Sequence, residues 1–153
     1  MSFFNYKNFE LYKGKSILAV DYGTKVTGLA QFCPGREPFP SPFGRIIYKS
    51  DEQVVQEIKQ IVDDEVIDII VLGLPSYEDG NESEMTKKVK AFGVILETQI
   101  KDIELNYQDE TYSTYSAKER MMSSPQYNFQ VDAKKLDAVA ASIILEDFIR
   151  QDK

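Results

Sequence analysis

Histidine is absent from the 153 residues of the chain, and cysteine occurs once, as Cys33. The lack of histidine excludes Ser-His-Asp and Cys-His catalysis, histidine-ligated zinc and histidine-based pH switches. A single cysteine excludes an intrachain disulfide and a zinc site built from several thiolates. Any chemistry must therefore depend on carboxylates, hydroxyls, lysines, backbone groups or a bound metal.

Long apolar runs are also absent, because no segment approaches the roughly 18–20 apolar residues that a membrane-spanning helix needs. The first residues, MSFFNYK, lack the basic segment followed by an apolar segment that marks a signal peptide. With a single thiol, these features predict a cytoplasmic protein that has no membrane association.

Basic residues are too few to balance the acidic ones, since 18 Lys and Arg against 25 Asp and Glu give a net charge of −7. Nonspecific phosphate binding relies on positive charge, so this balance argues against a protein that coats nucleic acid. It leaves open a local basic groove, or a site where carboxylates hold Mg²⁺ against a phosphate. The length and the 42% hydrophobic content are typical of one globular domain.

The hydrophobic pattern predicts one α/β domain over residues 16–150, preceded by an N-terminal extension over residues 1–15 that packs on the domain or frays. An antiparallel hairpin followed by alternating helices and strands predicts a mixed sheet, with its later strands parallel and helices on both faces. The predicted strands cover residues 16–20, 26–32, 43–48, 66–72 and 103–107. The predicted helices begin after caps at Ser50-Asp51, at an Asn81/Glu84 capping box, near residue 114 and at Asp132.

Some acidic residues lie where predicted strands end: Asp21 directly follows the first strand, and Asp109 and Glu110 lie at the end of the last. Ligands of open α/β sheets bind off the carboxyl ends of the strands. The alternatives are that Asp21 bonds the backbone of a hairpin turn, and that Asp109 and Glu110 are solvated loop charges. Because successive strand residues point to opposite faces, only one of Asp109 and Glu110 can face a shared site if the strand continues.

Asp137 lies in the predicted final helix, on one face with small and apolar residues, Ala140, Ala141, Ile144 and Phe148. A carboxylate on such a face is costly to bury unless it is paired or binds a metal. The alternative is that Asp137 interacts with the dipole of the first helical turn. The alanines would let the helix approach the sheet closely and bring Asp137 near the strand ends.

Carboxylates from the first strand, a later strand end and the final helix could therefore converge. Three of them in contact cannot all ionise without a cation, and Mg²⁺ or Mn²⁺ is the natural counterion. Two such ions about 4 Å apart stabilise the attacking and leaving oxygens of phosphodiester hydrolysis and acidify the attacking water. This chemistry needs no histidine.

Four collinear segments resemble the motifs of one family. Residues 17–30 (ILAVDYGTKVTGLA) resemble its opening motif; the other segments are 71–75 (VLGLP) with Asp79-Gly80 and the helix after it, 109–114 (DETYST) and 134–145 (KKLDAVAASIIL). The similarity covers about residues 16–150. It is to the YqgF/RuvX family of Holliday-junction-resolvase-like proteins, which are described as candidate pre-16S rRNA nucleases.

The resemblance implies an RNase H-like fold and metal-dependent cleavage of nucleic acid. It implies catalytic metal ligands, for Mg²⁺ or Mn²⁺, at Asp21, Glu110 and Asp137. The chain departs from the family at Thr111, where Arg is usual, and at Val26, where a basic residue is common; a lost Arg removes a fixed cation. Nucleic-acid contacts are expected at five lysines, although a lone surface lysine is more often simply solvated: Lys25, Lys87, Lys88, Lys134 and Lys135.

Three functions are compatible with these features. The favoured one is an endonuclease that cuts structured nucleic acid, with pre-16S rRNA 5′-end processing in ribosome biogenesis as its setting and Holliday-junction DNA as the alternative substrate. A small-molecule phosphotransferase is the second, because residues 21–24 (DYGT) also resemble the phosphate-binding hairpin of the sugar-kinase/actin superfamily. The third is a non-catalytic module that binds nucleic acid or the ribosome. A monomer or homodimer is expected.

Overall fold

The computed structural model describes residues 6–75, 83–110 and 113–151. Within these residues five strands form one sheet, in the order β3-β2-β1-β4-β5. The strands are β1 Ile17–Asp21, β2 Val26–Phe32, β3 Ser41–Ile47, β4 Ile69–Leu74 and β5 Glu104–Asp109. The helices are α1 Lys7–Leu11, α2 Asp51–Glu65, α3 Glu84–Gln99, α4 Ser113–Met122 and α5 Leu136–Ile149, with a 3₁₀ turn at Pro125–Tyr127.

The sheet is mixed, as the sequence predicted. Strand β2 pairs antiparallel with both β1 and β3, whereas β4 pairs parallel with β1 and with β5. The short turn after Asp21 returns the chain beside β1, and such a turn can join only antiparallel neighbours. Helices α2 and α3 lie in the crossovers to β4 and β5, which places both of these strands parallel to β1.

Helices cover both faces of the sheet, and the side chains of β1 point alternately to one face and the other. Leu18 and Val20 pack in one core cluster with α2 and α3, whereas Ile17 and Ala19 pack in another with α5. A strand that is buried on both faces has a continuous apolar sequence rather than an alternating one. Asp21, two residues beyond Ala19, belongs by the same alternation to the face that α5 covers.

Helix α5 is the most enclosed helix of the described chain. It packs on the sheet through one apolar cluster and on α4 through another. Its buried Glu146 accepts two hydrogen bonds, at 2.7 and 2.9 Å, from the guanidinium of Arg120 on α4. Helix α1 also packs here, because Asn8 donates to the Phe148 carbonyl at 2.7 Å and Phe9 is buried.

Two predicted helix starts differ from the observed ones. Ser50 caps α2 as predicted, in a capping box with Gln53. The predicted capping box between Asn81 and Glu84 was wrong. Ser83 caps α3, because its side chain accepts a hydrogen bond from the Thr86 N–H at 3.1 Å, and Glu84 is the first helical residue. Asn81 lies outside the described residues. Asp132 does not cap α5, which begins four residues later at Leu136.

Strand β4 begins at Ile69 rather than at Val66, because Val66 ends helix α2 and the next two residues connect the helix to the strand. Val66 is the C-cap of α2 at a φ of 52°. The Asp68 carboxylate accepts a hydrogen bond from the Ser16 N–H at 2.9 Å.

Among the described residues, no helix is long and apolar enough to cross a membrane.

Candidate carboxylate site

Asp21 ends β1 at the carboxyl edge of the sheet, between two glycines. Gly28 of β2 is its register partner on one side. On the other side Val20 pairs with Leu72, so that Gly73 lies next to Asp21 in β4. The glycines leave room beside the Asp21 carboxylate on the face that α5 covers, because they place no side chains there.

The room above Gly28 is filled by the first turn of α5. A Cβ atom built on Gly28 would overlap the Asp137 carbonyl and lie 2.9 Å from the Asp137 Cβ. The helix backbone therefore rests directly on β2, which brings Asp137 next to Asp21. Ala141, one turn later, packs in the same cluster as Ala19, and its small side chain permits this close approach.

The room above Gly73 is filled by Ile144 of α5 and by Glu110. The Glu110 N–H donates to the Leu74 carbonyl at 3.0 Å, which extends the β5 pairing by one residue. A Cβ atom on Gly73 would lie 2.9 Å from Glu110 Oε2, so this carboxyl group reaches across Gly73 towards Asp21. Because strand residues alternate, Asp109 belongs to the opposite face, and Glu110 is the member of the pair that faces Asp21.

The carboxyl groups of Glu110 and Asp21 lie within hydrogen-bonding reach of each other, and the pKa of Glu110 is raised further, so Glu110 is the one that holds a proton between them. Burial raises the pKa of Asp21 to about 6; the bond from Glu110 lowers this pKa and the Asp137 charge raises it. Burial, the Asp21 charge and the donated bond raise the pKa of Glu110 to about 9. At neutral pH without a cation, Glu110 therefore keeps its proton.

Arg45 is a member of this site that the sequence analysis missed. It is the register partner of Gly28 on β3, and it lies exposed on the face that carries Asp137. Burial raises the pKa of Asp137, and the charge of Arg45 lowers it. The alternation of β3 could have indicated Arg45, but the register shift between Leu29 and Ala30 cannot be read from the sequence.

The predicted nucleic-acid lysines fall into two groups. Lys134 and Lys135 precede Asp137 directly, and Lys25 is exposed in the turn that follows Asp21. Lys87 and Lys88 are exposed on α3, which packs on the opposite face of the sheet, and Lys87 lies 3.6 Å from Glu84. The first group is thus near the carboxylates in the sequence, whereas the second group lies on a helix that covers the other face of the sheet.

The donor set fits a hard divalent cation. Asp21, Glu110 and Asp137 offer carboxylate oxygens, which Mg²⁺ and Mn²⁺ prefer. Within the described residues, no three His, Cys, Asp or Glu side chains already have the spacing of a metal site. Asp21 and Glu110 are in contact, and two carboxylates in contact are stabilised either by a shared proton or by a bound cation. Thr111 and Asp79-Gly80 lie outside the described residues.

Similar proteins were found at the levels of family, sequence and fold. Residues 15–151 match the family model described as RuvX, Holliday junction resolvase. A "Putative pre-16S rRNA nuclease" of Malacoplasma penetrans is 35% identical over 149 residues, which is 90% of this chain and 95% of the relative. A relative of the same name from Maridesulfovibrio salexigens is 30% identical over 133 residues, 87% and 96% of the two chains.

Solved resolvase structures share the fold. RuvC of Thermus thermophilus, in complex with a Holliday junction substrate, has a TM-score of 0.57 and covers 89% of this chain and 95% of its own. Its sequence identity is 8%, so this likeness concerns the fold alone. The RNase H-like sheet predicted from the sequence is confirmed. Because the family model spans nearly the whole chain and the relatives reach 35% identity, the chain belongs to the RuvX family of nucleases.

Proposed function

We propose that the chain is a divalent-metal-dependent endonuclease that cuts structured nucleic acid, and that its substrate is the 16S rRNA precursor during 5′-end processing in the cytoplasm. One observation carries the proposal: Asp21 of β1 and Glu110, which directly follows β5, are in contact at the carboxyl edge of the sheet, and Asp137 of α5 lies near enough for its charge to act on Asp21. The name shared by the relatives supports the choice of RNA.

Each carboxylate is positioned by backbone rather than by a flexible loop. Asp21 ends β1, Glu110 is fixed by its bond to Leu74, and Asp137 is fixed where α5 rests on Gly28. These residues would hold Mg²⁺ or Mn²⁺, which supplies charge neutralisation at the phosphate and an acidified water. All three side chains must be ionised to act as ligands, so cation binding releases the Glu110 proton and is favoured by rising pH.

Basic residues close in sequence or register to the carboxylates support the proposal. Arg45 faces Asp137, Lys25 follows Asp21, and Lys134 and Lys135 precede Asp137. In a chain with a net charge of −7, such a local set of cations can hold phosphates without attracting nucleic acid over the whole surface.

Cleavage of a labelled precursor RNA in Mg²⁺ tests the proposal. Asp21→Asn removes one charge and keeps the shape, so we expect it to abolish cleavage without lowering the melting temperature. Asp63→Asn, an exposed change at the end of α2, is the matched control and should retain the wild-type rate. Wild-type cleavage by Asp21→Asn would remove the carboxylate site from the mechanism.

Branched DNA is the second candidate substrate. The family description and the RuvC complex with a Holliday junction favour it. A competition between labelled precursor RNA and a four-way DNA junction, with the Asp21→Asn variant as background, distinguishes the two. Junction cleavage alone would assign DNA as the substrate of the same site. Binding of both probes without cleavage in Mg²⁺ or Mn²⁺ would identify a non-catalytic module.

A further inference from the structure

Residues 123–135, here called the α4–α5 loop, form a surface beside the carboxylates. Asp137 follows the loop by two residues, so what the loop binds lies close to the candidate site. The loop is fastened to α5, because the Asp132 carbonyl accepts bonds from the Lys135 and Leu136 N–H groups, each at 3.0 Å. Tyr127 adds apolar packing against the cluster that contains Val139.

The aromatic ring of Phe129 is not part of any core cluster of the described residues. It is 60% exposed. Its φ is 57°, and the preceding Asn128 has a φ of 55°, so both residues adopt the left-handed region. A bulky residue is rarely found there, and burial of its ring would ordinarily offset the strain. Here the backbone instead presents the ring to solvent.

Groups that could recognise other parts of a nucleotide lie beside Phe129 in the sequence. A pocket of about 560 Å³ lies next to Phe129, which does not itself line it; its lining includes Asn128, Gln130, Asp132 and Lys134, and the Asp132 carboxylate accepts from the Lys134 N–H at 3.0 Å. Amide side chains can donate to and accept from the edge of a base. The Lys135 ammonium lies 6.0 Å from the centre of the Tyr127 ring. Among the described residues, no ion pair involves Lys134 or Lys135, so both charges are available to a phosphate.

We propose that the α4–α5 loop binds one unpaired nucleotide of the substrate, with the base stacked on Phe129 and the phosphate held by Lys134 and Lys135. A nucleotide combines a flat π face, a hydrogen-bonding edge and a negative charge, which matches the ring, the amides and the ammonium groups. Only an unpaired base exposes its face and its edge together. The assignment rests on the proposed function, because it places this nucleotide next to the bond that is cut.

Binding of fluorescent RNA without divalent cation, at low ionic strength, tests the proposal. The probes are a blunt duplex and the same duplex with a single-stranded extension. Phe129→Ala should weaken binding of the extended probe about tenfold, the usual effect of losing one stacking contact, and should leave the blunt duplex unaffected. Phe129→Trp should restore the affinity. Phe39→Ala is the matched control, since Phe39 is also 60% exposed and lies in another loop.

Several outcomes would overturn the proposal: wild-type affinity of Phe129→Ala for the extended probe, an equal loss for both probes, an equal loss in Phe39→Ala, or no binding of either probe. A cleavage assay separates this proposal from the proposed function. Stacking on Phe129 without cleavage of any substrate would leave the loop assignment standing alone. Cleavage with an unchanged Phe129→Ala affinity would remove the loop assignment and retain the nuclease.

Discussion

The shared proton of Asp21 and Glu110 predicts that Glu110→Gln stabilises the cation-free protein at neutral pH. Because the folded-state pKa of Glu110 is raised to about 9, the folded chain holds a proton that the unfolded chain releases near pH 4.5. Stability therefore falls as the pH rises between these two values. Glutamine is neutral in both states and keeps an N–H donor for Asp21, so it removes this loss.

The size of the effect follows from the pKa. Between pH 4.5 and pH 7, a cost of 1.36 kcal/mol per pH unit amounts to about 3 kcal/mol. For a chain of this length, this corresponds to a rise in melting temperature of roughly 6–12 °C. At pH 4.5 the Glu110 carboxyl group is protonated in the folded state and about half protonated in the unfolded state, so the difference in melting temperature between the variant and the wild type should nearly vanish.

Thermal unfolding followed by circular dichroism, in EDTA and across this pH range, measures the prediction. Mg²⁺ should stabilise the wild type at pH 7 and the variant much less, because binding to the folded state alone raises stability and the variant lacks one ligand. Glu65→Gln, an exposed change on α2, serves as the control and should show neither effect. A Glu110→Gln variant that is less stable than the wild type at pH 7 would refute the shared proton.

Much of the fold could be predicted from the sequence, because the apolar residues that identify each strand are also the residues that the strand buries in the core. The run Ile17 to Val20 is apolar on both faces, so a central strand followed by Asp21 was the natural interpretation. The predicted order of elements is confirmed from β1 to α5, whereas helix α1, within the predicted N-terminal extension, was not predicted. The starts of α3 and β4 were missed because they depend on single hydrogen bonds and on the left-handed Val66, which no periodicity reports.

The site was harder to predict, because its geometry depends on register. The sequence placed Asp21, Glu110 and Asp137 at the ends of elements but could not choose between Asp109 and Glu110. That choice depends on β5 running to Asp109, two residues beyond the predicted end. The hydrophobic pattern does not show why Gly28 and Gly73 must lack side chains. The structure shows it, because α5 and Glu110 occupy the space that side chains at these positions would need.

Two further substitutions test the contacts that assemble the site. Arg45→Gln removes the charge that lowers the pKa of Asp137, so this pKa should rise in a carboxyl NMR titration. Arg36→Gln, a change in the loop before β3, is the control and should leave the pKa of Asp137 unchanged. An equal rise in both variants would mean that net charge, rather than the position of Arg45, sets this pKa. Gly28→Ala places a Cβ into the backbone of Asp137, which forces α5 away from the sheet. Overpacking of this kind costs about 1–3 kcal/mol, so the melting temperature should fall by several degrees. Gly44→Ala is the matched control, because a Cβ at that position on the neighbouring strand meets no atom within 4 Å. If both variants melt with the wild type, α5 does not rest on β2 at Gly28, and the position of Asp137 beside Asp21 loses its support.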